Sequence, residues 1–235
     1  MPRRFTPAEA AAFFSRFAKR DPNPRTELHY NSPYTLLVAV VLSAQATDKG
    51  VNKATAQLFP TVNTPEKMVA LGEARLREAI QTIGLYRTKA KNVIALSTAL
   101  LEKHGGRVPQ TREALEELPG VGRKTANVVL NVAFGEPTLA VDTHIFRVCN
   151  RTNLAPGKNP RAVEDALEKI VPAKFKLHAH HWLILHGRYV CIARRPKCPE
   201  CTVADLCRFT SKTQPAGAKP HIETKIIAKL SKSTP

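Results

Sequence analysis

Apolar residues recur at intervals of three and four along most of the chain, the spacing of helices that bury one face. Ala10, Phe13, Phe14, Phe17 and Ala18 share such a face. Thr6-Pro7, Ser32-Pro33, Thr64-Pro65 and Asn159-Pro160 each place a capping side chain before a proline. Proline suits the first helical position, where its missing N–H is not needed, so each pair predicts a helix start. Glu9, three residues after Thr6, adds a capping box. Two apolar runs, Leu36 to Leu42 and Val128 to Phe134, have the length of buried strands. Neither has an alternating partner or an Asn-Gly turn beside it, so both are read as buried helices. The pattern predicts an all-α fold.

Breaks in the pattern divide the chain. Asp21-Pro22-Asn23-Pro24 reads as a hinge after the first helix, and Gly135-Glu136-Pro137 as a second boundary. The expected organisation is a central domain over residues 26–136, flanked by residues 1–25 and 137–211 packed against each other. Residues 212–235 carry five lysines against one glutamate and read as a mobile basic tail. Ile83-Gly-Leu-Tyr-Arg-Thr-Lys-Ala90 and Pro119-Gly-Val-Gly-Arg-Lys-Thr-Ala126 share Gly, an aliphatic, Arg and Ala at equivalent places, a faint echo of a duplicated helical hairpin.

Charge changes the picture. Lys and Arg number 36 against 19 Asp and Glu, and the resulting +17 costs self-repulsion that a polyanion would relieve. Nucleic acid is therefore the expected partner. With 43% apolar residues in 235, a core can form without staples. No apolar stretch approaches the roughly 18 residues of a membrane span, and the amino terminus has no signal-peptide core, so a reducing cytoplasmic setting is expected. Disulfides are then improbable, and Cys191, Cys198, Cys201 and Cys207, crowded together, read as metal ligands, with Cys149 apart.

Four features carry candidate chemistry. Gly120 and Gly122 allow a tight turn that brings backbone N–H groups to the start of the following helix, where the dipole favours a phosphate. Lys124 lies in that first turn beside Arg123, and dipole and guanidinium both disfavour its ammonium form. Exclusion of water must supply the rest of what a neutral nucleophile needs; otherwise Lys124 is a solvated contact. Asp142 is placed to cap the next helix, a role compatible with stabilising developing positive charge and moving a proton. The cysteine spacing C-x6-C-x2-C-x5-C suits a [4Fe–4S] cluster and zinc about equally. Arg194, Arg195 and Lys197 between its first two members suit phosphate contact. His178, His180, His181 and His186, around Trp182, read as residues of a partly buried helix, since no His-Glu-x-x-His pattern accompanies them.

Five stretches together resemble a known family. Leu42-Ser-Ala-Gln-Ala-Thr-Asp48, Leu118-Pro-Gly-Val-Gly-Arg-Lys-Thr-Ala-Asn127, Val141-Asp-Thr-His-Ile-Phe-Arg147, His181-Trp-Leu-Ile-Leu-His-Gly-Arg188 and the cysteine loop are similar to the endonuclease III family of helix-hairpin-helix base-excision DNA glycosylases and AP lyases. The resemblance runs from about Thr26 to Arg208. It implies a six-helix barrel domain with the helix-hairpin-helix at about 109–134, a helical domain holding a [4Fe–4S] cluster, and a DNA cleft between them. Lys124 is implied as Schiff-base nucleophile and Asp142 as catalytic carboxylate. Gln45 is implied to fill the hole left by a flipped nucleotide, Leu85 to wedge the opposite side, and His144 to lie near the damaged strand. The implied partner of a monomer is double-stranded DNA carrying oxidised pyrimidines or abasic sites, in the nucleoid. Two alternatives stay open: an adenine-glycosylase-like enzyme, whose branch lacks lysine at this position and carries a further domain, and a non-catalytic iron–sulfur module.

Overall fold

The computed structural model describes residues 3–215, which form ten α-helices and one short 3-10 turn, with no strand among them. In chain order these are α1 (Pro7–Arg20), α2 (Pro33–Ser43), α3 (Asp48–Thr55), α4 (Pro65–Ala79), α5 (Tyr86–His104), α6 (Arg112–Glu116), α7 (Arg123–Phe134), α8 (Thr143–Thr152), α9 (Pro160–Ile170) and α10 (Ala173–Tyr189). All four cap-proline pairs open helices, and Thr6 and Glu9 form the capping box. Ser32 and Thr35 form a second one, unexpected because threonine replaces the usual Glu or Gln.

Two hydrophobic cores organise these helices. Around the first, every residue of α2 from Tyr34 to Leu42 is buried, since α3, α5 and α7 all pack on this one helix. Tyr34 donates to or accepts from Ser97 of α5 at 2.6 Å, inside the core. Helices α4 and α5 form the longest pair, α6 and α7 a shorter hairpin. Both stretches of the sequence echo therefore end in the second helix of a hairpin.

The second core is built from α1, α8, α9, α10 and the cysteine segment. Its centre is aromatic: Phe13 and Phe17 meet edge to face at 4.8 Å, and Phe14 lies 6.4 Å from Trp182. Phe13 and Phe14 are fully buried, each contributing about 1.5–3 kcal/mol. Trp182 Nε1 donates to the Asp21 carbonyl at 2.8 Å, fixing the turn where the chain leaves α1.

Side chains join the cores where the chain crosses between them. On α7, Asn127 Nδ2 donates to the Leu139 carbonyl at 2.9 Å. Asn131 Nδ2 serves the carbonyls of Glu136 and Leu177 at 3.0 Å each and that of Thr138 at 3.3 Å. With Asn131 only 5% exposed, Asn131→Ala strands these acceptors away from water. A loss of about 2 kcal/mol of unfolding free energy is expected, measured by urea denaturation.

Residues 216–235, most of the expected tail, lie outside the described residues. The start of that segment is packed. Lys212 Nζ donates to the Cys207 carbonyl at 2.9 Å, and Thr213 Oγ1 accepts from the Cys198 amide at 3.2 Å.

Candidate active site

Between the two cores opens a cleft of about 820 Å³, whose lining includes Lys124, Asp142, His144 and Gln45. Residues far apart in the chain thus meet in one space. Lys124 reaches it from the first turn of α7. The preceding turn is tight: the Val121 amide donates to the Leu118 carbonyl at 3.0 Å, and Gly120 has φ +78°. A Cβ at Gly120 would also fall 2.9 Å from the Asn92 side chain. Gly122 caps α7 with no side chain, and a Cβ there would meet nothing within 4 Å, so the start of α7 is open on that side.

Asp142 is the N-cap of α8, its Oδ1 accepting from the Ile145 amide at 2.8 Å. The cap uses one oxygen and leaves the other outside it. His144 follows on the same turn, its Nδ1 3.2 Å from Arg147 Nη2. Because a guanidinium can only donate, Nδ1 accepts and the neutral ring carries its hydrogen on Nε2. Gly187 of α10 makes the approach possible, since a Cβ there would lie 2.9 Å from His144 Cβ.

Arg123 departs from expectation. Its Nε and Nη2 donate to Glu164 Oε1 of α9 at 2.9 and 2.7 Å, so its charge is compensated from α9. Lys124 itself is exposed, not desolvated. Arg123 is thus engaged by α9, and the dry pocket that the sequence required around Lys124 is not present in the free protein.

Among the described residues four non-glycine residues have positive φ: Gln45 (54°), Leu85 (60°), Asn153 (62°) and Arg195 (52°). Asn153 ends α8, where asparagine tolerates that conformation. The other three are all among the residues expected to meet DNA. Left-handed backbone costs such residues about 1–2 kcal/mol each, and strain of this kind gathers at binding sites. Gln45 is exposed and Leu85 is 57% exposed, the reverse of what packing alone would do with a leucine.

Several cleft residues escaped sequence reasoning. Arg188 of α10 bridges to Asp48 Oδ2 at 2.6 Å and to Glu27, which also accepts from the Tyr189 hydroxyl. This joins α10 to the first core at the cleft, and only the fold reveals the pairing. His180 and His181 line the cleft as buried residues of α10. Burial pushes His180 down to about 3 and His181 to about 4, so both are neutral near pH 7.

The cysteine segment closes the second core. Cys191, Cys198, Cys201 and Cys207 line one small pocket together with Arg151 and His186. Burial, and the other cysteines, push the Cys201 thiol up to about 11, and burial raises Cys207. Donors already face the sulfurs: the Phe209 amide lies 3.4 Å from Cys207 Sγ, and Arg151 Nη1 3.6 Å from Cys191 Sγ. Among the described residues no three His, Cys, Asp or Glu side chains are gathered to hold a single metal ion. Arg194, Arg195 and Lys197 stand exposed on the loop. Cys149 is buried apart, in α8. No helix among the described residues is long and apolar enough to cross a membrane.

The hairpin α6–α7, whose tight glycine turn leads into Lys124 on a cleft that Asp142 also lines, is the arrangement of a helix-hairpin-helix protein. Residues 38–173 match the profile of the HhH-GPD superfamily base excision DNA repair proteins, and the chain belongs to that superfamily. It is 61% identical over 200 residues to endonuclease III of Haemophilus influenzae, covering 85% of this chain and 95% of that protein. Against endonuclease III of Escherichia coli K12 the identity is 60% over 205 residues, covering 87% and 97%. Among solved structures it is similar to a non-covalent endonuclease III–DNA complex and to a trapped covalent endonuclease III–DNA intermediate. Their TM-scores are 0.82 and 0.81, each at 44% identity and covering 87% of this chain and 96% of the other. The protein is a DNA glycosylase of base excision repair.

Proposed function

We propose that the protein is a bifunctional enzyme, excising oxidised pyrimidines and cutting the strand at the resulting abasic site. One observation carries this reading: Lys124 and Asp142 line the same cleft, one at an open helix start and the other fixed by its cap. The similarity to endonuclease III supports it. Residues 26–136 act as the barrel domain, and residues 1–25 and 137–211 as the cluster domain.

The sugar of a stacked nucleotide is hidden, so the damaged nucleotide must leave the duplex, at a cost of a few kcal/mol that weak stacking lowers. The hairpin amides and the exposed Arg194, Arg195 and Lys197 hold phosphates, with Arg195 strained toward that role. Gln45 and Leu85, already strained and exposed, enter the vacated stack. DNA over the cleft then shields Lys124 from water, the desolvation the free protein lacks. Lys124 Nζ attacks C1′ as the C1′–N bond to the base breaks, the base leaving with the electron pair and taking a proton from water. Asp142 accepts the proton the nitrogen loses and returns it to O4′ as the C1′–O4′ bond breaks, which opens the sugar ring and leaves a C1′=Nζ imine. The resulting imine acidifies the C2′ hydrogen; its removal expels the 3′ phosphate and cuts the strand.

The four cysteines fit a [4Fe–4S] cluster. Thiols whose ionisation burial opposes need a cationic centre to hold them as thiolates, and N–H donors already face the sulfurs. Cys191, Cys198, Cys201 and Cys207 would hold it, and it would supply the cross-links that keep the Arg194–Lys197 loop in shape. The enzyme works as a monomer on double-stranded DNA in the nucleoid. Nicking of duplexes holding thymine glycol or an abasic site tests the reading; wild-type protein that leaves both intact would reject it.

Positioning and extrusion separate experimentally. Removing one loop cation is expected to weaken binding to damaged and undamaged DNA alike and to lower the slope of log K against log [salt] by about 0.9. Gln45→Ala and Leu85→Ala are expected to leave the slope unchanged and to slow excision of a paired base more than cleavage at a preformed abasic site.

A further inference from the structure

Lys89 is the one buried side chain in the first core that carries an ammonium. The residue is 4% exposed, and its Nζ is enclosed with no hydrogen-bond partner. It lies on the stripe of α5 that also buries Val93, Leu96, Ser97 and Leu100, the stripe facing the core. An uncompensated cation in such a place works against folding, and burial lowers its affinity for the proton. Nothing in the packing of α5 calls for it.

Its position can be fixed from its neighbours. Tyr34, near the start of α2, meets Ser97 of α5, while a Cβ on Gly84, just before α5, would lie 3.8 Å from the Gln45 carbonyl, just after α2. The two helices therefore run antiparallel. Lys89 is eight residues from Ser97, about 12 Å along the axis, which on α2 corresponds to Leu42. Helical side chains lean toward their own N-terminus, so the lysine chain extends past Leu42 toward Ser43, Ala44 and Gln45 on one side and Leu85 on the other. The end of α2 is the negative end of a helix dipole; its Val41 and Ser43 carbonyls accept from the Ala44 and Ala46 amides and its Val40 carbonyl from the Ser43 hydroxyl, and each keeps a second lone pair for a further donor. Lys89 is thus one turn after Leu85, whose carbonyl accepts from the Lys89 amide at 3.0 Å, on the helix whose start adjoins Gln45.

We propose that Lys89 is a positioning residue for extrusion: with DNA bound, its ammonium binds the carbonyls ending α2 and holds Gln45 and Leu85 against the duplex. In the free protein that contact is not made. The charge is tolerated in the core because forming the contact stiffens the two loops together at the moment a base must be displaced. The proposal rests on the glycosylase/lyase reading above. It adds a requirement specific to extrusion, absent when no base needs displacing.

Lys89→Met tests it, because methionine keeps the stem and removes the charge. The variant is expected to melt above wild type, since an unpaired buried cation is gone. Excision of thymine glycol from a paired duplex is expected to fall at least tenfold, and cleavage at a preformed abasic site less than threefold, with the salt slope of DNA binding unchanged. Both activities are measured on one preparation, so their ratio is independent of the folded fraction. Lys89→Arg keeps charge and donors and is expected to hold that ratio near wild type, even where its bulk lowers stability. An unchanged ratio in Lys89→Met, a slope reduced by about 0.9, or Lys89→Arg behaving as Lys89→Met would each overturn the proposal. Wild-type protein inactive on both substrates would instead reject the function on which it rests.

Discussion

Asp142→Asn protein is expected to fold, melt and bind abasic-site DNA as wild type does, and yet to turn over more slowly by about 10³-fold. The substitution is informative because of what Asp142 already does. Its Oδ1 caps α8 through the Ile145 amide, and asparagine caps a helix about as well as aspartate. Structure is therefore preserved while the negative charge and the proton-accepting oxygen are lost. Those are the two properties that the proposed departure of the base and formation of the imine require. Asp142→Ala removes the cap as well and is expected to cost about a further 1 kcal/mol of stability. Stopped kinetics on a thymine glycol duplex, with binding measured on the same samples, separate the two roles. Equal losses of binding and turnover in Asp142→Asn would show that the carboxylate serves DNA binding and not the reaction.

Local physics made much of the fold legible in advance. A capping side chain followed by proline has few alternatives, and all four such pairs open helices. The run Leu36 to Leu42 was readable as a helix for want of partner strands, and its burial on every side follows from three helices packing on it. Asp142 as N-cap followed from its place before a helical repeat, and Gly120 from the turn it had to make.

Long-range pairing was not legible. Arg123 read as a neighbour of Lys124, because they adjoin in sequence, whereas the structure turns it to Glu164, 41 residues away. Arg188 meeting Asp48 and Glu27, and Asn131 serving three carbonyls, are products of the crossing between cores. No local pattern records them. The same holds for strain: that Gln45, Leu85 and Arg195 share a left-handed backbone is a property of turns whose composition does not announce it. Lys89 is the clearest case, since a lysine among Tyr-Arg-Thr-Lys-Ala-Lys reads as one more surface cation.

The proposed nucleophile has the largest expected effect. Lys124 sits in the first turn of α7, whose N-cap Gly122 has no side chain, and lines the cleft. An amine is required for an imine, and no side chain lacking one can substitute for it. Lys124→Ala leaves α7 intact, since alanine is the best helix former, and leaves the hairpin amides free to bind phosphate. The variant is therefore expected to retain DNA binding while losing covalent chemistry outright. Borohydride reduces an imine to a stable amine, so it converts the intermediate into a protein–DNA adduct that survives denaturation. The direct test is trapping wild type and Lys124→Ala on the same abasic-site duplex: wild type is expected to give the adduct in high yield and Lys124→Ala none, whereas adduct of equal yield from both would show that the bond to DNA is made elsewhere.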